Sequence, residues 1–143
     1  MTELLDRVFE LWCNPSTDDA AAAQAFRACY ADPVSINGVA TTATDLVTRM
    51  RALHRALADL DVDVIRRVDS TDTITVVFFL LGHHTGRMMT PMGEILPTGR
   101  RVRVHTIDVL KVENGKITDV WVVSDQLEFL RGPDPLLGAF LVE

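Results

Sequence analysis

The run VHTIDVLKVENGKITDVWVVSD, residues 104–125, constrains this chain most. Two segments rich in valine and isoleucine flank Asn114-Gly115. β-branched residues favour strands, and Asn-Gly supplies the two positive-φ positions of a tight hairpin turn. Such a hairpin needs further strands and an apolar layer to lie against. It also carries two carboxylates, Asp108 and Asp125, within or at the ends of apolar runs. A buried charge is costly unless it is paired, hydrated or used.

The preceding chain supplies the layers. Leu4, Leu5, Val8, Phe9, Leu11 and Trp12 recur at helical spacing and predict a helix over 3–13, broken by Asn14-Pro15-Ser16. Asp18 or Thr17 can cap a second helix bearing Ala22, Ala25, Phe26 and Cys29, which ends in Tyr30-Ala31-Asp32-Pro33. Val34-Ser35-Ile36 reads as a short strand closed by Asn37-Gly38. A third helix follows Thr44 as its cap, with Leu46, Met50, Leu53 and Leu57 as its stripe. From Leu60 the period falls to two, and long strands are expected over 73–84, 100–112 and 116–124, with a loop over 86–99 and a turn-rich tail at 132–138. Helices followed by a meander of strands predict a single α+β domain, with a curved, mainly antiparallel sheet wrapped around the helices.

A two-residue turn at Asn114-Gly115 pairs Glu113 with Lys116. Continued without a bulge, that register sets Asp108 opposite Trp121, Thr106 opposite Val123 and Val104 opposite Asp125. One face then holds Val104, Thr106, Asp108, Leu110, Trp121 and Asp125, an apolar wall with a few placed polar groups, as in a ligand pocket. The other face, with Ile107, Val109, Val120 and Val122, is also apolar. It predicts a homodimer packed through the outer face of the sheet.

Composition narrows the function. Lys and Arg total 14 against 20 Asp and Glu, for a net charge of -6, which argues against a nucleic-acid partner. No run reaches the roughly 18 apolar residues of a membrane span. MTELLDRVFELW lacks the basic start of a signal peptide, so a cytoplasmic protein is expected. Cys13 and Cys29 read as ordinary thiols. No histidine or cysteine spacing suggests a metal, and no glycine-rich phosphate loop suggests a nucleotide, so no cofactor is expected.

The pieces Gly82-x-His84-Thr85-Gly86, Pro97-Thr98-Gly99-Arg100, Ile107-Asp108, Asn114-Gly115-Lys116-Ile117 and Trp121 followed by Asp125-Gln126-Leu127 resemble the SnoaL-like family. This is the polyketide-cyclase branch of the nuclear transport factor 2-like superfamily. The resemblance covers nearly the whole chain and is specific in the C-terminal half. It implies a conical α+β barrel with a deep pocket between helices and sheet. It implies a cofactor-free enzyme that closes rings by intramolecular aldol chemistry, with Asp125 at the acid/base position and His84 at the family's histidine. The loop over 86–99 departs from the family in its methionines, Met88, Met89 and Met92. The superfamily also includes epoxide hydrolases, ketosteroid isomerases, hydroxylase-like members and non-catalytic binding modules, so the fold is set more firmly than the reaction.

The candidate catalytic residues are therefore Asp125, His84 and Asp108. Asp125 can equally cap the helix beginning at Gln126, and Asp108 can equally organise the wall. The candidate substrate-binding residues are Trp121, Phe78, His54, Asn37, Thr106, Met50 and Met89, the last as part of an adaptable lid. The expected ligand is a hydrophobic, carbonyl-bearing small molecule. An alternative uses Asp108 and Asp125 as a carboxylate pair around a water or an epoxide.

Overall fold

A computed structural model describes residues 2–91 and 93–130. The elements run α1 (Thr2–Cys13), α2 (Asp19–Cys29), β1 (Tyr30–Ile36), β2 (Val39–Thr41), α3 (Ala43–Ala56), β3 (Leu57–Asp69), β4 (Thr73–His84), β5 (Met88–Thr90), β6 (Gly93–Ile95), β7 (Arg101–Glu113) and β8 (Lys116–Ser124), with a short 3-10 helix at Gln126–Leu130. Asp18 caps α2 by accepting from the Ala21 amide at 3.0 Å. α3 starts two residues earlier than expected. Its cap is Thr42, not Thr44, because Thr42 and Asp45 form a reciprocal capping box. α3 ends at Ala56, so Leu57 opens β3 and does not close the helix stripe.

Six strands form one sheet in the order β2-β1-β8-β7-β4-β3. All of its pairs are antiparallel except β1 with β8. Tyr30 to Pro33, expected only to end a helix, begins β1, and Tyr30 lies beside Ile117 of β8. Within the loop expected over 86–99, β5 and β6 make a separate small hairpin. The tail at 132–138 lies outside the described residues. The three helices cover one face of the sheet. Phe26, Leu46 and Met50 from the helices are fully buried against Ile74, Val76, Leu110 and Ile117 from the strands. A second, smaller core joins Ala56, Leu57, Leu60, Val102 and Val104 at the other end. The result is the expected α+β class, a curved and mainly antiparallel sheet closed by N-terminal helices.

The β7–β8 hairpin departs from the simple register. Glu113 pairs with Lys116 and Val112 with Ile117, but Lys111 then pairs with Asp119, so Thr118 is an extra residue in β8. Such a bulge reverses every side chain beyond it. Asp108 faces Val122 rather than Trp121, and Thr106 faces Ser124 rather than Val123. Ile117 and Val120, three apart, are both buried, while Trp121 is 58% exposed and Val123 73% exposed. β7 itself points as its alternation predicts.

The end of β4 is tied to the end of α3 through one carbonyl. The amides of Thr85 and Gly86 both donate to the Ala56 carbonyl oxygen, each at 3.1 Å. A Cβ at position 86 would collide with the Arg55 backbone carbonyl oxygen. Backbone on both sides leaves little room to relax. Gly86→Ala should therefore destabilise the fold by about 1–3 kcal/mol, read as a drop of several degrees in Tm by scanning calorimetry. An unchanged Tm would contradict this packing.

Candidate active site

The helices and the concave face of the sheet enclose a cavity of about 220 Å³. Its wall is mostly apolar. Phe9 of α1 meets Phe78 of β4 edge-on, with ring centroids 5.1 Å apart. Leu80 of β4 and Val120 and Val122 of β8 continue the surface. Six polar side chains interrupt it: Trp12, Tyr30, Arg49, Thr106, Asp108 and Ser124.

Among the described residues Asp108 is the only carboxylate on this lining. Alternation along β7 turns it inward between Thr106 and Leu110, both buried. Its Oδ1 is buried with no hydrogen-bond partner. Burial in this apolar setting pushes its carboxyl from the ordinary 3.8 up to about 7. The group can therefore gain or lose a proton near neutral pH.

Two aromatic residues place a donor in the same cavity. The Trp12 indole N–H, at the end of α1, donates to the Tyr30 hydroxyl oxygen at 2.9 Å. Burial, with the nearby Asp108 charge adding to it, pushes the Tyr30 phenol well above its ordinary range. Tyr30 thus keeps its proton. Because its oxygen already accepts from Trp12, its own O–H is available to donate elsewhere. Thr106 Oγ1 donates to the Val104 carbonyl at 3.2 Å and lies 3.4 Å from Ser124 Oγ.

The structure brings together only part of the expected site. Asp108, Thr106 and Phe78 share the cavity. Asp125 does not, because the Thr118 bulge carries the end of β8 around. Its amide donates to the His105 carbonyl at 2.9 Å, and it borders a separate shallow hollow with Pro91, Gln126 and Leu127. Asp108 and Asp125 consequently form no carboxylate pair around one cavity. His84 is fully buried beside the smaller core, with Nδ1 3.1 Å from Thr98 Oγ1. Burial chiefly, then the charge of Arg100, lowers its pKa.

The remaining candidates lie elsewhere for local reasons. Trp121 is on the outer face. Met50 is core. His54 Nε2 lies 2.6 Å from the Trp12 carbonyl. Asn37 has φ 49° in its turn, and its amide side chain bonds both main-chain groups of Val122. Met89 is 71% exposed on the β5–β6 hairpin. Met92 lies outside the described residues. The alternation reading missed Trp12, Tyr30, Arg49 and Ser124. Trp12 had a visible signal, since it ends an apolar helix stripe with a polar N–H that needs a partner.

Among the described residues no group of three or more His, Cys, Asp or Glu side chains is placed to hold a metal. No helix there is long and apolar enough to cross a membrane.

The raised Asp108 carboxyl has a consequence for stability. In the folded chain Asp108 holds its proton up to about pH 7, against 3.8 in the unfolded chain. Its contribution is fully present below about pH 4 and is lost as pH rises through 7, a change on the order of 4 kcal/mol. The Tm of Asp108→Asn minus that of the parent should therefore rise between about pH 4 and pH 8. A difference that stays flat across this window would contradict the burial of a lone carboxylate.

Comparison with solved structures agrees with this fold. No curated protein matches. TsrD from Streptomyces laurentii superposes with a TM-score of 0.76 at 18% identity, over 96% of this chain and 94% of that one. A SnoaL-like polyketide cyclase from Agrobacterium tumefaciens gives 0.71 at 18% identity, over 91% and 94%. A Catenulispora acidiphila protein with a ketosteroid isomerase-like fold gives 0.65 at 14%, over 90% and 89%. At such identities these likenesses speak for the fold. The family model for SnoaL-like polyketide cyclases, however, matches residues 2–132. The chain belongs to the SnoaL-like polyketide cyclase family.

Proposed function

We propose that this chain is a cofactor-independent acid/base enzyme that acts on an apolar, carbonyl-bearing small molecule. Asp108, in place of Asp125, is its proton-transfer group. The observation that carries this reading is a carboxyl on the cavity wall that is the only one among the described lining residues, its Oδ1 buried without a partner and its pKa raised to about 7 by desolvation. A general base works best when its pKa lies near the working pH.

In the proposed reaction ionised Asp108 takes a proton from the carbon α to a carbonyl. Tyr30 donates a hydrogen bond to the enolate oxygen as charge develops there, and the Trp12 N–H polarises that hydroxyl. For ring closure, the enolate carbon bonds to a second carbonyl carbon of the same molecule. The resulting alkoxide takes the proton back from Asp108. Phe9, Phe78 and the aliphatic wall hold the chain folded, so proximity supplies much of the acceleration. If the enolate is instead reprotonated elsewhere, the same groups perform an isomerisation.

The outer face of the sheet supports a second copy as partner. Trp121, Val123 and Ile107 are exposed there, and Arg103 lies 4.0 Å over the Phe79 ring beside them. We propose a homodimer through this face. Sedimentation at micromolar concentration should give twice the chain mass, and Trp121→Glu should shift it to monomer. A monomeric parent would overturn the dimer.

The chemical test uses β-tetralone, an apolar ketone with acidic α-protons. Exchange of those protons for deuterium, followed by proton NMR, should be faster with the protein than in buffer. The rate should rise with pH to a plateau, with its midpoint near the pKa of about 7 of Asp108. Asp108→Asn should lose about 100-fold or more, and Tyr30→Phe less. Binding of β-tetralone without any accelerated exchange would instead favour a binding module.

A further inference from the structure

The cavity lining carries a cation as well as the Asp108 carboxyl. Among the described residues Arg49 of α3 is the only Lys or Arg on its lining, and it is exposed, which puts it at the opening. Two residues on, Arg51 is held by Asp19 at 3.0 Å and by the Ser16 carbonyl. Among the described residues no carboxylate pairs with Arg49 in this way. An unpaired guanidinium beside an apolar wall has its donors ready for an anion.

The two groups come from opposite layers, Arg49 exposed on α3 and Asp108 half-buried on β7. Burial alone raises the Asp108 carboxyl, with no lowering by a nearby cation. Asp108 Oδ1 is buried without a hydrogen-bond partner, so Arg49 makes no hydrogen bond to it.

On the reading of Asp108 as proton-transfer group, we infer that the substrate is an amphiphile. Its carboxylate, or an equivalent anion, is held by Arg49 at the mouth, and its apolar body reaches inward with the carbonyl end toward Asp108. Arg49 is then a specificity-determining residue that fixes which end enters. A neutral ligand would find the wall but not the orientation.

The test compares naphthaleneacetate with its methyl ester, by calorimetric titration of the full chain at pH 7.5 and low salt. The acid should bind about tenfold more tightly than the ester, the range expected of a charge-assisted hydrogen bond. Arg49→Ala should abolish the preference and leave the ester affinity unchanged. Arg49→Lys should restore part of it, and added salt should weaken only the acid. Equal affinities in the parent, or a preference that survives Arg49→Ala, would overturn the role of Arg49 and leave the apolar cavity standing. Failure of both probes to bind would overturn the role of Arg49 together with the function proposed for the cavity.

Discussion

Thr118 is the residue on which the site turns. As the extra residue of β8, it buries Ile117 and Val120 together and sends Val122 and Ser124 inward. The same step expels Trp121 and Val123 to the outer face and carries Asp125 out of the cavity. An unbulged strand would set the Trp121 indole opposite Asp108, where the structure has Val122, and would set Asp125 opposite Val104. The cavity would then be narrower and more acidic, and Asp108 would no longer be isolated. One inserted residue thus decides both how many charges the cavity holds and which aromatic groups the outer face presents.

The isolation of Asp108 is costly to the fold and useful to chemistry. A carboxylate among Phe78, Leu80, Val120 and Val122 has lost most of its water, and its Oδ1 gains no donor in return. The large core beneath α1, α2 and α3 supplies the stability that tolerates it. A protonation equilibrium near neutrality is the direct outcome. Tyr30 complements it at no extra charge, because burial holds the phenol neutral and Trp12 occupies its oxygen. A neutral donor and a titrating carboxyl in one apolar cavity match the needs of enolate chemistry.

Much of this was legible in the residues. The helix periods, the strands at 73–84 and 116–124 and the turn at Asn114-Gly115 all follow from local pattern, and both turn residues have positive φ, 52° and 77°. Alternation along β7 places Asp108 and Thr106 inward because no bulge interrupts that strand before them. The resemblance in the C-terminal half fixed the family. The facing of β8 was not legible. Ile117-Thr118-Asp119-Val120-Trp121-Val122-Val123 has apolar residues on both parities, so neither phase is excluded by composition. Tyr30 read as a helix end because its partner in the sheet, Ile117, is distant in sequence and pairs in parallel. His54, Asn37 and His84 are each engaged by a partner 14 or more residues away in the chain, which no local pattern reveals.

The central claim is that Asp108 is a desolvated, singly held carboxyl that titrates near neutrality. The most direct test is an NMR titration of its side-chain carboxyl carbon in the folded protein, assigned by comparison with Asp108→Asn. The expected midpoint is about 7. A midpoint near the ordinary 3.8 would mean that water or a donor reaches the carboxylate, and would contradict its role in proton transfer.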